Sequence, residues 1–155
     1  MVPAIAPLVI AAAAHAQAPG GGVTEAGVGA MTALAHRSLW GPEISVARRP
    51  RGPGGEGRFA LSAAGGDYEG VMGMRLQLTA QLLLRPAERN GVGPYAGLGL
   101  AFAGAEATHG AGYLTALVGV EQTPGRPAGW YAELGLGGGV RLAAGWRWRR
   151  FPSWW

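Results

Sequence analysis

The sequence predicts an all-β fold in which eight antiparallel strands close into an up-and-down barrel. Apolar and polar residues alternate with a period of two through most of the chain, and side chains on a strand point alternately to two faces. Glycine accounts for 29 of the 155 residues, and each interior glycine costs a helix about 1 kcal/mol. Turn-forming runs separate the alternating segments, as expected for successive hairpins.

The composition limits the remaining classes. A chain of 155 residues has room for one domain, and a hydrophobic content of 48% is too high for a disordered tract. With no cysteine, the chain has no disulfide scaffold, no thiolate metal site and no cysteine nucleophile. The three histidines are scattered and do not have the spacing of metal ligands. The sequence therefore predicts neither a metal nor a cofactor.

The N-terminal segment is typical of an export signal. Residues 1–24 carry no Asp, Glu, Arg or Lys, and an apolar run over residues 4–14 ends at Ala14-His15-Ala16, an A-x-A cleavage pattern. The run is too short for a membrane-spanning helix, which needs about 20 residues. We expect a signal peptide at residues 1–16 and a short N-terminal segment at 17–22, although no basic residue precedes the run. The alternative is a buried or frayed N-terminal segment.

Eight segments have the alternation of a strand, and the first two are the weakest. The clearest is Met72–Leu84, where one parity is apolar throughout and the other is mostly polar. Eight strands of about 10 residues fit in a chain of this length. In chain order the predicted strands are Thr24–Leu34, Gly41–Arg48, Arg58–Ala63, Met72–Leu84, Tyr95–Phe102, Tyr113–Glu121, Trp130–Gly137 and Val140–Arg149.

Short connections rich in Gly and Pro are expected between the strands. Asn90-Gly91 is a specific signal for a tight hairpin turn. Every predicted connection is short. The predicted connections include Arg49–Gly55, Gly65–Asp67, Pro86–Gly91, Gly104–Gly112, Thr123–Pro127 and Gly137–Gly139.

Alternation alone does not say which face is outside, but three features favour an apolar exterior. Glycines lie on the polar face, as expected inside a narrow eight-stranded barrel, where a long arginine needs a small neighbour. The polar face also carries arginines and glutamates that can pair when buried. Trp130, Trp146 and Trp148 lie near strand ends on the apolar face, where membrane interfaces collect aromatic rings. The prediction is therefore a transmembrane barrel.

This orientation assigns residues to the lumen and to lipid. A polar network that plugs the lumen is expected from Arg75, Gln77, Gln81, Glu121, Glu133, Arg141 and Arg147. The residues expected to face lipid are Met74, Leu76, Leu78, Leu98, Leu100, Leu134, Leu142 and Trp146.

Two motifs, together with the export signal, resemble a known family. Gly93–Leu100 and Trp130–Leu142, which runs into an aromatic-rich final strand, are similar to segments of the small eight-stranded outer-membrane barrels of the OmpA and opacity types. The resemblance covers residues 23–151 and implies an outer-membrane protein with a structural, anchoring or adhesion role and no catalysis. It implies contact with outer-membrane lipid and with the barrel-insertion machinery, which would read Phe151, although the extension at residues 152–155 departs from the family pattern.

Two other functions stay open at this point. A soluble periplasmic barrel that binds a small apolar ligand would have the same alternation, with the apolar face inside the barrel and the polar face in water. A lipid A-modifying barrel enzyme would use His36 and Ser38, which lie two residues apart, as base and nucleophile; a polar turn is favoured for this pair. Nucleic acid is not expected as a partner, because Arg147 and Arg149 face away from Trp148 on a strand.

Overall fold

The computed structural model describes residues 21–52, 55–106, 108–153 and 155. One antiparallel sheet closes on itself, and each strand pairs with the next in the chain. The predicted fold class, a closed barrel of eight antiparallel strands, is confirmed. The strands are β1 (Val23–Leu34), β2 (Leu39–Arg49), β3 (Gly57–Tyr68), β4 (Val71–Leu83), β5 (Val92–Ala105), β6 (Ala111–Gln122), β7 (Ala128–Leu136) and β8 (Val140–Arg150).

The barrel closes between its first and last strands. β1 pairs antiparallel with β8 from Thr24 opposite Arg150 to Leu34 opposite Val140. No strand of the sheet is left unpaired on one side, so the sheet presents no open edge to another chain. The predicted signal peptide and residues 17–20 lie outside the described residues.

The two ends of the barrel differ in the length of their connections. At the end that holds the start of β1 and the end of β8, here called the terminal end, the connections span residues 50–56, 84–91 and 123–127. At the opposite end, here called the mouth, they span 35–38, 69–70, 106–110 and 137–139. The mouth therefore carries shorter connections and less covering chain than the terminal end.

One predicted turn is wrong. Gly65–Asp67 lies inside β3, and the chain reverses two residues later at Glu69-Gly70, where both residues have positive φ, 51° and 88°. Two successive residues of positive φ are typical of a type I′ hairpin turn. Gly66 instead allows β3 to lie close to β2, because a Cβ on this residue would be 2.1 Å from the carbonyl oxygen of Trp40 on β2.

The tight turn predicted at Asn90-Gly91 is also wrong. Both residues belong to the longer connection at 84–91, and neither has a positive φ. The backbone amide of Asn90 donates to the Glu88 carboxylate at 3.1 Å, and its side-chain oxygen accepts from Arg126 at 2.9 Å. Asn90 thus ties two connections of the terminal end together.

Side chains alternate between a buried interior and an exposed exterior along every strand. β4 shows this most clearly, with buried and exposed residues in strict alternation from Gly73 to Leu83. The interior holds two small apolar clusters: Met31, Ala33, Leu39, Ala64 and Ala143 in one, and Leu83, Tyr95 and Leu117 in the other. Among the described residues no helix is long and apolar enough to cross a membrane.

Some inward-facing glycines make room for tyrosine rings and several others for the backbone of a neighbouring strand, whereas the sequence predicts that they accommodate arginines. A Cβ on Gly119 would lie 2.4 Å from the Tyr95 ring. A Cβ on Gly29 would lie 2.3 Å from the carbonyl oxygen of Ala144 on β8 and 2.9 Å from the hydroxyl oxygen of Tyr131. Arg141 has only a loose glycine neighbour in Gly135, at 3.7 Å.

Replacing Gly119 with alanine should destabilise the barrel by about 1–3 kcal/mol, the usual cost of overpacking. The Tyr95 ring cannot simply move away, because its hydroxyl donates to Glu133 at 2.7 Å. The matched control is Gly112→Ala on the same strand, where a Cβ would contact nothing within 4 Å. Urea unfolding in detergent micelles, followed by tryptophan fluorescence, measures both variants, and equal stabilities would contradict the tyrosine–glycine packing.

Candidate functional site

The candidate site is the charged interior of the barrel, where the structure places every predicted lumen residue. All seven are buried: Arg75, Gln77, Gln81, Glu121, Glu133, Arg141 and Arg147. The eight residues predicted to face lipid all point outward and are exposed: Met74, Leu76, Leu78, Leu98, Leu100, Leu134, Leu142 and Trp146. Their contact with lipid itself remains a prediction.

Glu121 on β6 is the centre of the network and is completely buried. Its carboxylate lies 2.7 Å from Arg147 and 3.0 Å from Arg149, both on β8. Arg58 on β3 contacts the same carboxylate at 2.9 Å, and Arg49 on β2 contacts it at 3.4 Å. One carboxylate therefore joins three strands besides its own across the barrel.

A second carboxylate, Glu25 on β1, shares three of these arginines. It accepts from Arg49 at 2.5 Å and from Arg58 at 3.1 Å, and it lies 3.6 Å from Arg147. Two carboxylates and four guanidinium groups thus form one cluster, here called the terminal-end cluster (Glu25, Arg49, Arg58, Glu121, Arg147 and Arg149).

A third group of charges continues the network toward the mouth. Arg141 lies between two carboxylates, and donates to Glu43 at 2.5 Å and to Glu133 at 2.8 Å. Glu133 also accepts from the Tyr95 hydroxyl at 2.7 Å and lies 3.5 Å from Arg147. Because Arg147 contacts carboxylates of both groups, the charges form one continuous network along the lumen.

Two tyrosine rings pack against guanidinium groups of the network. The guanidinium carbon of Arg58 lies 4.4 Å from the centre of the Tyr95 ring, and that of Arg147 lies 4.5 Å from the centre of the Tyr131 ring. At these distances the negative face of the ring attracts the cation. The tyrosines therefore stabilise arginines in the place where like charges would otherwise repel.

The terminal end of the lumen is closed by its own connections. Arg49 donates to the carbonyl oxygens of Pro86 at 3.1 Å and Pro124 at 3.2 Å. Arg149 donates to the carbonyl oxygens of Thr123 at 3.4 Å and Arg126 at 3.3 Å. The connections at 84–91 and 123–127 are thus held against the barrel by buried guanidinium groups.

Side chains fill the middle of the lumen almost completely. A cavity of only about 10 Å³ remains between Gln77, Tyr131, Glu133 and their neighbours, which is space for about one water molecule. The hydroxyl of Tyr131 is buried beside it without a hydrogen-bond partner among the described residues. The interior is therefore a plug of packed polar side chains.

Sequence reasoning missed Arg49, Tyr95 and Tyr131 as members of the network. Arg49 is completely buried, yet the sequence assigned it to a turn because Pro50 follows. The signal was present in the parity, since Glu43, Ser45 and Ala47 share the inward face that Arg49 continues. The two tyrosines share the parity of the lumen residues on their strands but were not recognised as members of it.

The candidate catalytic pair lies in a connection at the mouth and not on a lumen-facing strand position. His36 and Ser38 lie in the connection between β1 and β2, where His36 is exposed and Ser38 half-buried. Arg37 between them pairs loosely with Glu69, at 3.7 Å. Within the described ranges, no group of three or more His, Asp or Glu residues is arranged to hold a metal ion.

The outer surface of the barrel is apolar and has aromatic residues toward both ends. Trp130 and Trp146 lie directly opposite each other on β7 and β8, near the terminal end, with Trp148 beyond them. Trp40 at the start of β2 and Phe102 near the end of β5 lie toward the mouth. All five are exposed, and between them the outward residues of the strands are mainly leucine, valine, methionine and alanine.

Solved structures with the same architecture place this chain among the small closed barrels. The N-terminal β-barrel domain of Pseudomonas aeruginosa OprF superposes with a TM-score of 0.58 at 17% identity, over 84% of this chain and 98% of that one. Neisserial surface protein A superposes with a TM-score of 0.50 at 18% identity, over 83% of this chain and 96% of that one. No protein-family model and no curated protein sequence matches the chain. The resemblance to small eight-stranded outer-membrane barrels is thus confirmed for the fold.

Replacing Glu121 with glutamine should strongly destabilise the barrel, by about 3–5 kcal/mol, because removing one partner of a buried ion pair leaves charge uncompensated. Here four guanidinium groups lose a carboxylate at once. Glu106→Gln, at an exposed position just beyond β5, is the matched control and should be neutral. Urea unfolding in detergent micelles measures both, and a Glu121→Gln variant as stable as the control would show that the cluster does not stabilise the fold.

Proposed function

We propose that this protein is an integral outer-membrane barrel with a structural, anchoring or adhesion role and no catalytic activity. The observation that carries the proposal is the polarity of the barrel: among the described residues, ten charged side chains are buried inside it, while 26 large hydrophobic side chains are exposed outside. Monomeric soluble proteins rarely expose contiguous apolar patches above a few hundred Å². An apolar exterior of this extent is unfavourable in water and is expected to contact lipid.

The strands support the proposal by their length. They run from nine residues in β7 to 14 in β5, and a tilted strand needs about 9–11 residues to cross the hydrocarbon core. The aromatic residues at Trp40 and Phe102 toward one end and at Trp130, Trp146 and Trp148 toward the other match the two interfacial girdles of membrane barrels. The export signal expected at residues 1–16 agrees with this location.

The soluble alternative has little support from the geometry. A barrel that binds a small apolar ligand needs an apolar cavity, whereas the interior here is occupied by arginine, glutamate and glutamine. Leu76 and Leu100, which would line such a cavity, point outward. The enzyme alternative rests on His36 and Ser38 alone, and these residues lie on an exposed connection.

The filled lumen and the short mouth connections limit the roles that the barrel can have. A filled interior favours anchoring or sealing over transport, and the short mouth connections leave a small surface for adhesion. For biogenesis we propose the barrel-insertion machinery as a partner. Phe151 directly follows β8 and would present the terminal aromatic, and its ring packs 5.3 Å from that of Trp155.

The full chain, expressed in a Gram-negative host, should remain in the outer-membrane pellet after a high-salt wash. A filled barrel that resists detergent should also migrate faster on a gel when it is not heated. Fractionation and paired heated and unheated gel lanes measure this. Recovery in the soluble periplasmic fraction would refute the membrane proposal.

Replacing Leu78 with arginine should reduce stability in lipid by about 2–4 kcal/mol, the cost of arginine at the bilayer midplane. Leu78 is an outward residue in the middle of β4 and is 54% exposed. The matched control is Leu84→Arg just past the end of β4, where the cost should fall to about 0–1 kcal/mol. Unfolding titrations in lipid vesicles measure both variants, and an equal cost at the two positions would contradict a bilayer centred on the strands.

A further inference from the structure

Arg75 is set apart from the other buried arginines. Five of the six buried arginines lie within 4.0 Å of at least one glutamate, whereas Arg75 on β4 forms no such pair among the described residues. Its Nη2 donates to the carbonyl oxygen of Gly137 at 2.8 Å and to Gln77 at 3.3 Å. Its Nε is buried and has no partner within the described part of the chain.

This unpaired cation lines a cavity at the mouth of the barrel. The cavity has a volume of about 150 Å³, which is enough for one small anion or a few water molecules. Its polar lining comes from Arg37, Tyr68, Arg75, Thr108, His109 and Tyr113, and no aspartate or glutamate lines it. The walls therefore offer hydrogen-bond donors and positive charge. Arg37 pairs with Glu69 at 3.7 Å, which leaves Arg75 as the lining arginine with no carboxylate partner among the described residues.

The buried charges nearer the mouth are Arg75, Arg141, Glu43 and Glu133. Arg141 pairs with both of these glutamates, at 2.5 Å and 2.8 Å, so among the described residues Arg75 is the buried cation in this part of the lumen that no carboxylate contacts. The terminal end is closed by its connections, so an anion from solution would enter by the mouth.

We propose that the mouth cavity is a binding site for a small dissolved anion that carries a phosphate or carboxylate group, held by Arg75. The planar guanidinium group suits both oxyanions, and the hydroxyls of Tyr68 and Tyr113 can donate further hydrogen bonds. A dissolved anion is favoured over a lipid headgroup because Arg75 lies on the lumen face of β4 and is almost completely buried. The outward residue Met74 also lines the cavity, so the vesicle titration below distinguishes the two sources of phosphate. This inference goes beyond the proposed structural role and stands on the interior alone.

The test is a titration of the purified full chain with inorganic phosphate, and in parallel with acetate, in a detergent with a neutral headgroup at constant ionic strength. Isothermal calorimetry should show saturable binding with a Kd in the millimolar range. Arg75→Gln should weaken binding by roughly tenfold or more, the loss expected for one or more hydrogen bonds to a charged group. Arg75→Lys, which keeps the charge but removes the planar fork, should bind with intermediate affinity.

Arg126→Gln is the matched control, because Arg126 is exposed at the terminal end, away from the mouth cavity, and its side chain donates to Asn90; the variant should bind phosphate like the wild type. Unheated gel mobility verifies that each variant is folded. Absence of saturable binding in the wild type would overturn the proposal, as would equal affinities of wild type and Arg75→Gln. Equal weakening by Arg75→Gln and Arg126→Gln would also overturn it, since it would show a general charge effect.

A second titration separates the two sources of phosphate. The protein is placed in phosphatidylcholine vesicles with and without phosphatidylglycerol, and phosphate binding is measured in both. Equal affinities would support a dissolved anion as occupant. Anionic lipid that competes with phosphate in the wild type would identify a headgroup as the occupant and overturn the assignment.

Discussion

The pairing of carboxylates with guanidinium groups inside a closed barrel is the constraint on which the rest of the structure depends. Moving an ion from water into a protein interior costs several kcal/mol, and only close partners offset that cost. Glu121 and Glu25 each contact at least three arginines, which come from β2, β3 and β8. The network is complete only when all eight strands are in place, so closure of the sheet and burial of charge depend on each other.

The same network fixes the register of the strands. A slip by one residue would turn every side chain of a strand to the other face. On β8 such a slip would place Arg147 and Arg149 outside among apolar neighbours and Trp146 and Trp148 inside. The buried charges therefore discriminate against misregistered barrels far more strongly than an apolar interior would, because an exposed leucine and a buried leucine differ less in free energy than a paired and an unpaired arginine.

The two ends of the molecule use arginine differently. At the terminal end, Arg49 and Arg149 each contact a carboxylate and also the carbonyl oxygens of the covering connections. The terminal end of the lumen is therefore filled. At the mouth, the connections are as short as two residues, the cavity remains open beside them, and Arg75 has no carboxylate within 4.0 Å among the described residues. The asymmetry follows from connection length, since a short hairpin turn continues its strands and leaves the lumen open.

Much of the architecture was predictable from the sequence, because a period of two directly reports the two faces of a strand. The eight strands, the inward residues such as Arg75 and Glu133, and the outward residues such as Leu78 and Trp146 all follow from parity. Turn positions were less predictable, because glycine in this chain serves both turns and close approaches: Gly65–Asp67 resembles a turn but lies within β3, while Glu69-Gly70 makes the reversal.

The sequence by itself determined which side chains share a face, because that property is local to each strand. Only the tertiary structure decided which charges meet, since the partners of Glu121 lie on strands distant in the chain and their distances depend on barrel closure and register. It also decided that Arg49 is buried, that the Tyr95 ring occupies the space beside Gly119, and that Arg75 has no carboxylate partner among the described residues. These outcomes depend on where eight strands converge in space, which no single segment of sequence encodes.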